Sequence, residues 1–229
     1  MSAIVLRNGD LLWDAYTDSH EQLIGAYELD DSKEPSINRF VRVEFKPKEN
    51  KDYDKLSKYV LTIDENQTPA WFEEHRELVI EKMSSIIKRV ILKDVKKKYL
   101  LSGVYILTGK TTIDICMNTR IFWIGGTSQV GEMRETSQVG MMWGTSQVGM
   151  MRGTSQVGMM WETSKVGEMR ETSQVGEMRG TSQVGEMRET SQVGEMRGTS
   201  QVGEMWETSK VGMMWGTEAI IKDGRIPVS

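Results

Sequence analysis

Gly126-Thr127-Ser128-Gln129-Val130-Gly131-Glu132-Met133-Arg134 is followed at once by Glu135-Thr136-Ser137-Gln138-Val139-Gly140-Met141-Met142-Trp143, and the nine-residue pattern runs on without insertion to Trp215, ten copies in all. A repeat this short and this regular means that each unit meets its neighbours in the same way, which is the signature of a solenoid. One glycine and two β-branched residues in every nine, with no apolar stripe of period 3.6, oppose helix. Thr127-Ser128-Gln129-Val130 reads as strand, with Ser128 and Val130 inward and Thr127 and Gln129 outward. Gly131 is expected to turn the chain and Met133 to re-enter the interior, so that Ser, Val and Met stack as ladders down a narrow core that polarizable methionine fills.

The first position of the unit alternates at twice the repeat. It is Gly in most odd copies (Gly126, Gly144, Gly180, Gly198) and Glu in most even ones (Glu135, Glu171, Glu189, Glu207). Two units per coil follow, pairing Val130 with Val148, and five coils at about 4.8 Å make a rod on the order of 24 Å. The units contain no Asp, so a calcium-binding nonapeptide roll is rejected.

Upstream, the sequence is not repetitive. Phe40 to Phe45 and Tyr59 to Ile63 read as strands. Thr68-Pro69 opens a helix, with Thr68 as N-cap and Phe72, Val79, Met83, Ile86, Ile87, Val90 and Ile91 at helical spacing up to Leu92. Gly103 to Leu107, Thr111 to Met117 and Ile121 to Ile124 look like short strands that lead into the solenoid and cover its first coil. The expected fold class is mainly β, a small α+β amino-terminal domain followed by a β-solenoid. Its parts are residues 1–100 as that domain, 101–125 as a strand-rich cap, 126–215 as the solenoid, and 216–229 as a carboxy-terminal cap and tail with a turn at Lys222-Asp223-Gly224.

Phe40-Val41-Arg42-Val43-Glu44, Ile63-Asp64, Pro69-Ala70-Trp71-Phe72 and the tandem Thr-Ser-Gln-Val-Gly-Glu-Met units together resemble uncharacterised proteins of bacteriophages and prophages that carry nonapeptide β-helix repeats. The resemblance implies a phage setting and a solenoid, and it carries over no catalytic residue.

Across the 229 residues the formal net charge is −4, which gives no general pull toward nucleic acid or an anionic membrane. The single cysteine, Cys116, cannot make an internal disulfide, and His20 and His75 lack metal-ligand spacing. With no signal peptide and no apolar run long enough to span a bilayer, a soluble protein of the host bacterial cytosol is expected, without membrane or nucleic-acid partners. Cys116 reads as a buried small hydrophobe, His75 as a surface histidine, Asp30-Asp31 and Asp52 with Asp54 as solvated turns, and Lys93, Lys96, Lys97 and Lys98 as a charged helix end. The chain is read as no enzyme, with no cofactor and no metal; activity in the amino-terminal domain is the weaker alternative.

The seventh and ninth positions carry the functional signal. They are usually Glu and Arg, a neutralising pair, but they become Met141/Trp143, Met159/Trp161 and Met213/Trp215, with Met150 and Trp206 as single departures. Exposed methionine and tryptophan at that density mark contact surfaces. These eight residues are the candidate interaction patch, unless they pack on the protein's own amino-terminal domain and tail. Two functions follow: a non-enzymatic phage-type binding protein that occupies a host factor, such as a component of host defence, or a structural protein that homo-oligomerises through the solenoid or its cap.

Overall fold

The computed structural model describes residues 1–31, 39–216 and 219–224, the last six by their backbone alone. The chain forms two compact units, Met1–Val90 and Ile91–Ser229. The first contains β1 (Ser2–Leu6), β2 (Leu11–Leu12), α1 (His20–Ala26), β3 (Phe40–Pro47), β4 (Tyr59–Ile63) and α2 (Ala70–Val90). Its strands form one antiparallel sheet in the order β2-β1-β3-β4. Side chains alternate along β3, so Val41, Val43 and Phe45 share one face and are buried there, while Lys46 is exposed.

Helix α2 buries Phe72, Val79, Met83 and Ile87, the i, i+3/i+4 set of an amphipathic helix. It stops at Val90 rather than Leu92. Ile91 and Leu92 continue the apolar rhythm, yet they pair in parallel with Ile106 and Leu107 instead. A ladder that pairs their backbone groups and packs their side chains outweighs one more helical turn. Helix α1 is not apparent in the sequence because its seven residues are too few to show a period; the Ser19 hydroxyl caps it by accepting from the Gln22 amide.

The second unit is a parallel β-solenoid of about seven turns. It opens with β5 (Ile91–Lys93), β6 (Lys96–Leu100), β7 (Val104–Thr108), β8 (Thr112–Met117) and β9 (Arg120–Ile124). The repeats supply β10 (Gln129–Arg134), β11 (Gln138–Met142), β12 (Gln147–Met151), β13 (Gln156–Met160), β14 (Lys165–Met169), β15 (Gln174–Met178), β16 (Gln183–Met187), β17 (Gln192–Gly198), β18 (Gln201–Trp206) and β19 (Lys210–Gly216), and β20 (Ala219–Gly224) follows. Even-numbered strands from β6 to β20 make one eight-stranded sheet and odd-numbered strands from β5 to β19 the other. Val130 pairs with Val148, Val139 with Val157, and Val193 with Val211.

Three boundaries differ from the sequence expectation. The solenoid begins at Ile91, so residues 91–100 belong to it, and residues 101–125 form coils continuous with the repeats rather than a separate cap. Lys93 lies in β5 and Lys96, Lys97 and Lys98 in β6, on strands and not at a helix end. Lys222-Asp223-Gly224 is the end of β20, not a turn, because it pairs with Glu204-Met205-Trp206; Thr217, Glu218 and residues 225–229 of the expected cap lie outside the described residues.

The interior is as the repeat implies. The Val and Met columns from Val130 to Met205 are buried to 2% exposure or less, and the serines from Ser128 to Ser209 to 1% or less. The turn, however, is not at Gly131. It falls at the first position, where Gly126, Gly144 and Gly153 have φ near +70° and Glu135, Glu162 and Glu171 are held at φ between 55° and 59°. Gly131 lies inside β10 and does a different job. Val130 and Met133 both face inward although two residues stand between them, so Gly131 and Glu132 must break the strict alternation of a strand. The ladder accordingly passes from Val130–Val148 to Glu132–Met150 and skips the glycine pair.

Candidate interaction surface

The seventh and ninth positions stand on the outer face of each sheet, side by side in columns that run along the solenoid. On the sheet of odd-numbered strands the seventh-position column is Trp123, Met141, Met159, Glu177, Glu195 and Met213, neighbours in that order by strand register. In the ninth-position column Trp143 and Trp161 are stacked, with ring centroids 5.4 Å apart and planes 24° from parallel. The Arg179 guanidinium lies 4.6 Å from the centroid of the Trp161 ring and extends the stack by a cation–π contact. Where the sequence restores charge, the columns become ion pairs: Arg179 to Glu177 at 2.6 Å, and Arg197 to Glu195 at 2.7 Å and back across the coil to Glu177 at 3.1 Å.

Burial separates the eight candidate residues. Met141 is only 6% exposed and offers no surface, contrary to its place in the expected patch. Its register neighbour is Trp123, itself 3% exposed, which extends the apolar block one coil upstream, a residue that the repeat pattern does not reach because it precedes the array. The Trp123 ring folds over Gly125, where a β-carbon would come within 1.7 Å of it. Trp143, Met150, Met159, Trp161 and Trp206 are half-buried. Met150 and Trp206 stand on the other sheet, where Arg152 Nε donates to Met150 Sδ at 3.0 Å and the Trp206 indole donates to Glu204 at 3.1 Å. Of the eight, Met213 (55%) and Trp215 (57%) are open, together with Met214 (43%), which the repeat pattern assigns to the interior.

Other candidates take structural roles. Cys116 is fully buried, and burial pushes its thiol up to about 12, far from a reactive thiolate. His20, buried in the first unit, sits between Asp64 at 3.2 Å and the Val43 carbonyl oxygen at 3.1 Å. Asp31 pairs with Arg42 at 2.9 Å, and Asp52 with Lys55, whose ammonium holds that carboxyl below the usual range. A shallow trough of about 390 Å³ runs along the other sheet, its floor the glycines of β12, β14, β16 and β18 and its rim Gln147, Lys165, Gln183 and Gln201.

No family model, no curated protein and no solved structure matches this chain. Its functional reading therefore stands on the geometry of the columns. Among the described residues no group of three or more His, Cys, Asp or Glu is placed to hold a metal ion, and no helix is long and apolar enough to cross a membrane.

Proposed function

We propose that this chain is a non-enzymatic binding protein of bacteriophage type, which occupies a host protein in the bacterial cytosol and uses the solenoid as a rigid scaffold. The target class suggested by the phage resemblance is a component of host defence. One observation carries the binding role: Trp143 and Trp161 are stacked at 5.4 Å on an outer face and continued by Arg179, a preorganised aromatic and cationic column of the kind that anchors interfaces. Ten nonapeptides taken two to the coil, as the pairing of Val130 with Val148 supports, would give that column its regular spacing.

Immobilised protein exposed to host lysate tests this. Trp143→Ala with Trp161→Ala should abolish capture of a specific protein while leaving the melting temperature nearly unchanged, since interface aromatics typically contribute about 2 kcal/mol or more. Arg179→Ala with Arg197→Ala should weaken capture less. Lost stability with capture intact would refute the wall as a binding surface.

A second reading, self-assembly through the end of the solenoid, is favoured by the exposure of Met213, Met214 and Trp215.

A further inference from the structure

We propose that strand β19 is a self-association edge, at which two copies of this chain join antiparallel about a two-fold axis between Gly212 and Met213. The proposal rests on the self-assembly reading and supplies its geometry.

Among the described residues, strand β19 ends its sheet and is paired on one side only, with β17. Met214 is 43% exposed there, whereas Met142, Met160, Met178 and Met196 of the same column are at 0%. Edge strands are ordinarily blunted by charge. At the opposite end of the solenoid the other sheet follows that rule, with Lys96, Lys97 and Lys98 exposed on its edge strand β6. So does the other sheet at this end, where the register of β20 sets Lys222 beside Glu204 and Asp223 beside Met205. The sequence of β19, Lys-Val-Gly-Met-Met-Trp-Gly, holds one charge, Lys210.

The repeat has a property that makes such an edge self-complementary. From the fourth to the ninth position its side chains face out, in, out, out, in, out, because of the kink at the glycine; the pattern is the same in both directions. Residues opposite each other in an antiparallel pair face the same side of the sheet. Centred between Gly212 and Met213, the pairing sets Val211 against the partner's Met214, both inward, and Lys210 against the partner's Trp215, both outward and chemically suited to a cation–π contact. A slip of one residue either way sets an inward side chain against an outward one. The occupant that continues both the apolar column and the outer face is thus a second copy.

Sedimentation equilibrium of the full chain should give twice the chain mass. Trp215→Lys, which sets like charges opposite each other at a site open to solvent, should return it to the single-chain mass with an unchanged circular dichroism spectrum. Adding Lys210→Glu should restore the dimer through the new ion pair. Copies carrying Lys210→Cys, mixed with copies carrying Trp215→Cys, should form disulfide-linked pairs, while the buried Cys116 stays reduced. A single-chain mass for the unaltered protein, as would follow if its own last residues or another protein cover β19, overturns the proposal. So does a dimer that persists in Trp215→Lys, or a failure of Lys210→Glu to restore it. None of these outcomes touches the lysate test of Trp143 and Trp161, so the two readings fail separately.

Discussion

The carbonyl oxygen of Gly149 lies so close beneath Gly167 that a β-carbon on Gly167 would stand 2.4 Å from it. The same approach recurs up both sheets, from Gly158 over Gly140 at 2.6 Å to Gly212 over Gly194 at 2.4 Å. What a methyl group meets here is backbone, which cannot swing aside. Gly167→Ala should therefore lower stability by on the order of 1–3 kcal/mol, the usual range for overpacking, as read by urea denaturation. Stability within a few tenths of the parent would show that the kink relaxes.

The turn position of the unit should respond in the opposite sense. Glu189 sits at φ 56°, a conformation that disfavours a β-carbon, and the column places it between Glu171 and Glu207 at successive coils. Glu189→Gly removes both the strain and a like charge and should raise the denaturation midpoint, by up to about 1 kcal/mol. A clear loss of stability would mean that these glutamates have partners that outweigh both effects.

Among the described residues, seven buried serine hydroxyls, Ser146, Ser155, Ser164, Ser173, Ser182, Ser191 and Ser200, have no hydrogen-bond partner, whereas Ser137 and Ser209 donate to the carbonyl oxygen three residues earlier at 2.7 and 2.8 Å. A buried hydroxyl left unpaired costs about 1–3 kcal/mol. Ser173→Ala should thus be neutral or stabilising, while Ser137→Ala should be destabilising by about 1 kcal/mol. Equal losses at both sites would show that Ser173 turns about its χ1 bond and donates as Ser137 does.

The ion-pair columns should matter little, but unequally. Glu177 is 16% exposed and accepts from Arg179 at 2.6 Å and from Arg197 of the next coil at 3.1 Å, whereas Glu195 meets Arg197 at 2.7 Å and has Met213 in the following coil. Glu177→Gln should reduce stability by about 1 kcal/mol and Glu195→Gln by less, since an exposed pair contributes roughly 0–1 kcal/mol. Repeating both measurements in about 1 M salt should bring them together; a salt-independent difference would point to packing instead.

Length is the last variable. Deleting Glu171 to Arg188, eighteen residues, removes β15 and β16 and rejoins strands of matching register. That variant should keep its cooperative melt. Deleting nine residues moves every downstream strand to the opposite sheet and should lower the melting temperature. Equal melting of the two would contradict the eighteen-residue coil.

How much of this was legible in the sequence differs from residue to residue. Ser, Val and Met had to face inward because nothing else in the nonapeptide could form a core, and ten near-identical copies had to meet their neighbours alike. The strands of the first unit were legible at Phe40 and Tyr59 for a similar reason, since alternation and flanking turn residues act within a few bonds. Local pattern could not tell which glycine turns the chain. Gly131 recurs in every copy whereas Gly126 gives way to Glu in half of them, yet only the coil stacked beneath shows that the first position supplies a left-handed turn and Gly131 a gap for a carbonyl oxygen. Nor could it end α2, because Ile91 and Leu92 fit a helix until Ile106 and Leu107 arrive as partners from further along the chain. The interaction patch was half legible: the substitutions of Glu and Arg by Met and Trp are plain in the sequence, but exposure depends on neighbours. Met141, whose register neighbour is the buried Trp123, is closed, while the want of a further described strand beyond β19 leaves Met214, an interior residue by pattern, on the surface. Sequence determined what each unit is made of; tertiary structure decided which side chains have a neighbour on both sides, because burial is a property of the stack and not of the repeat.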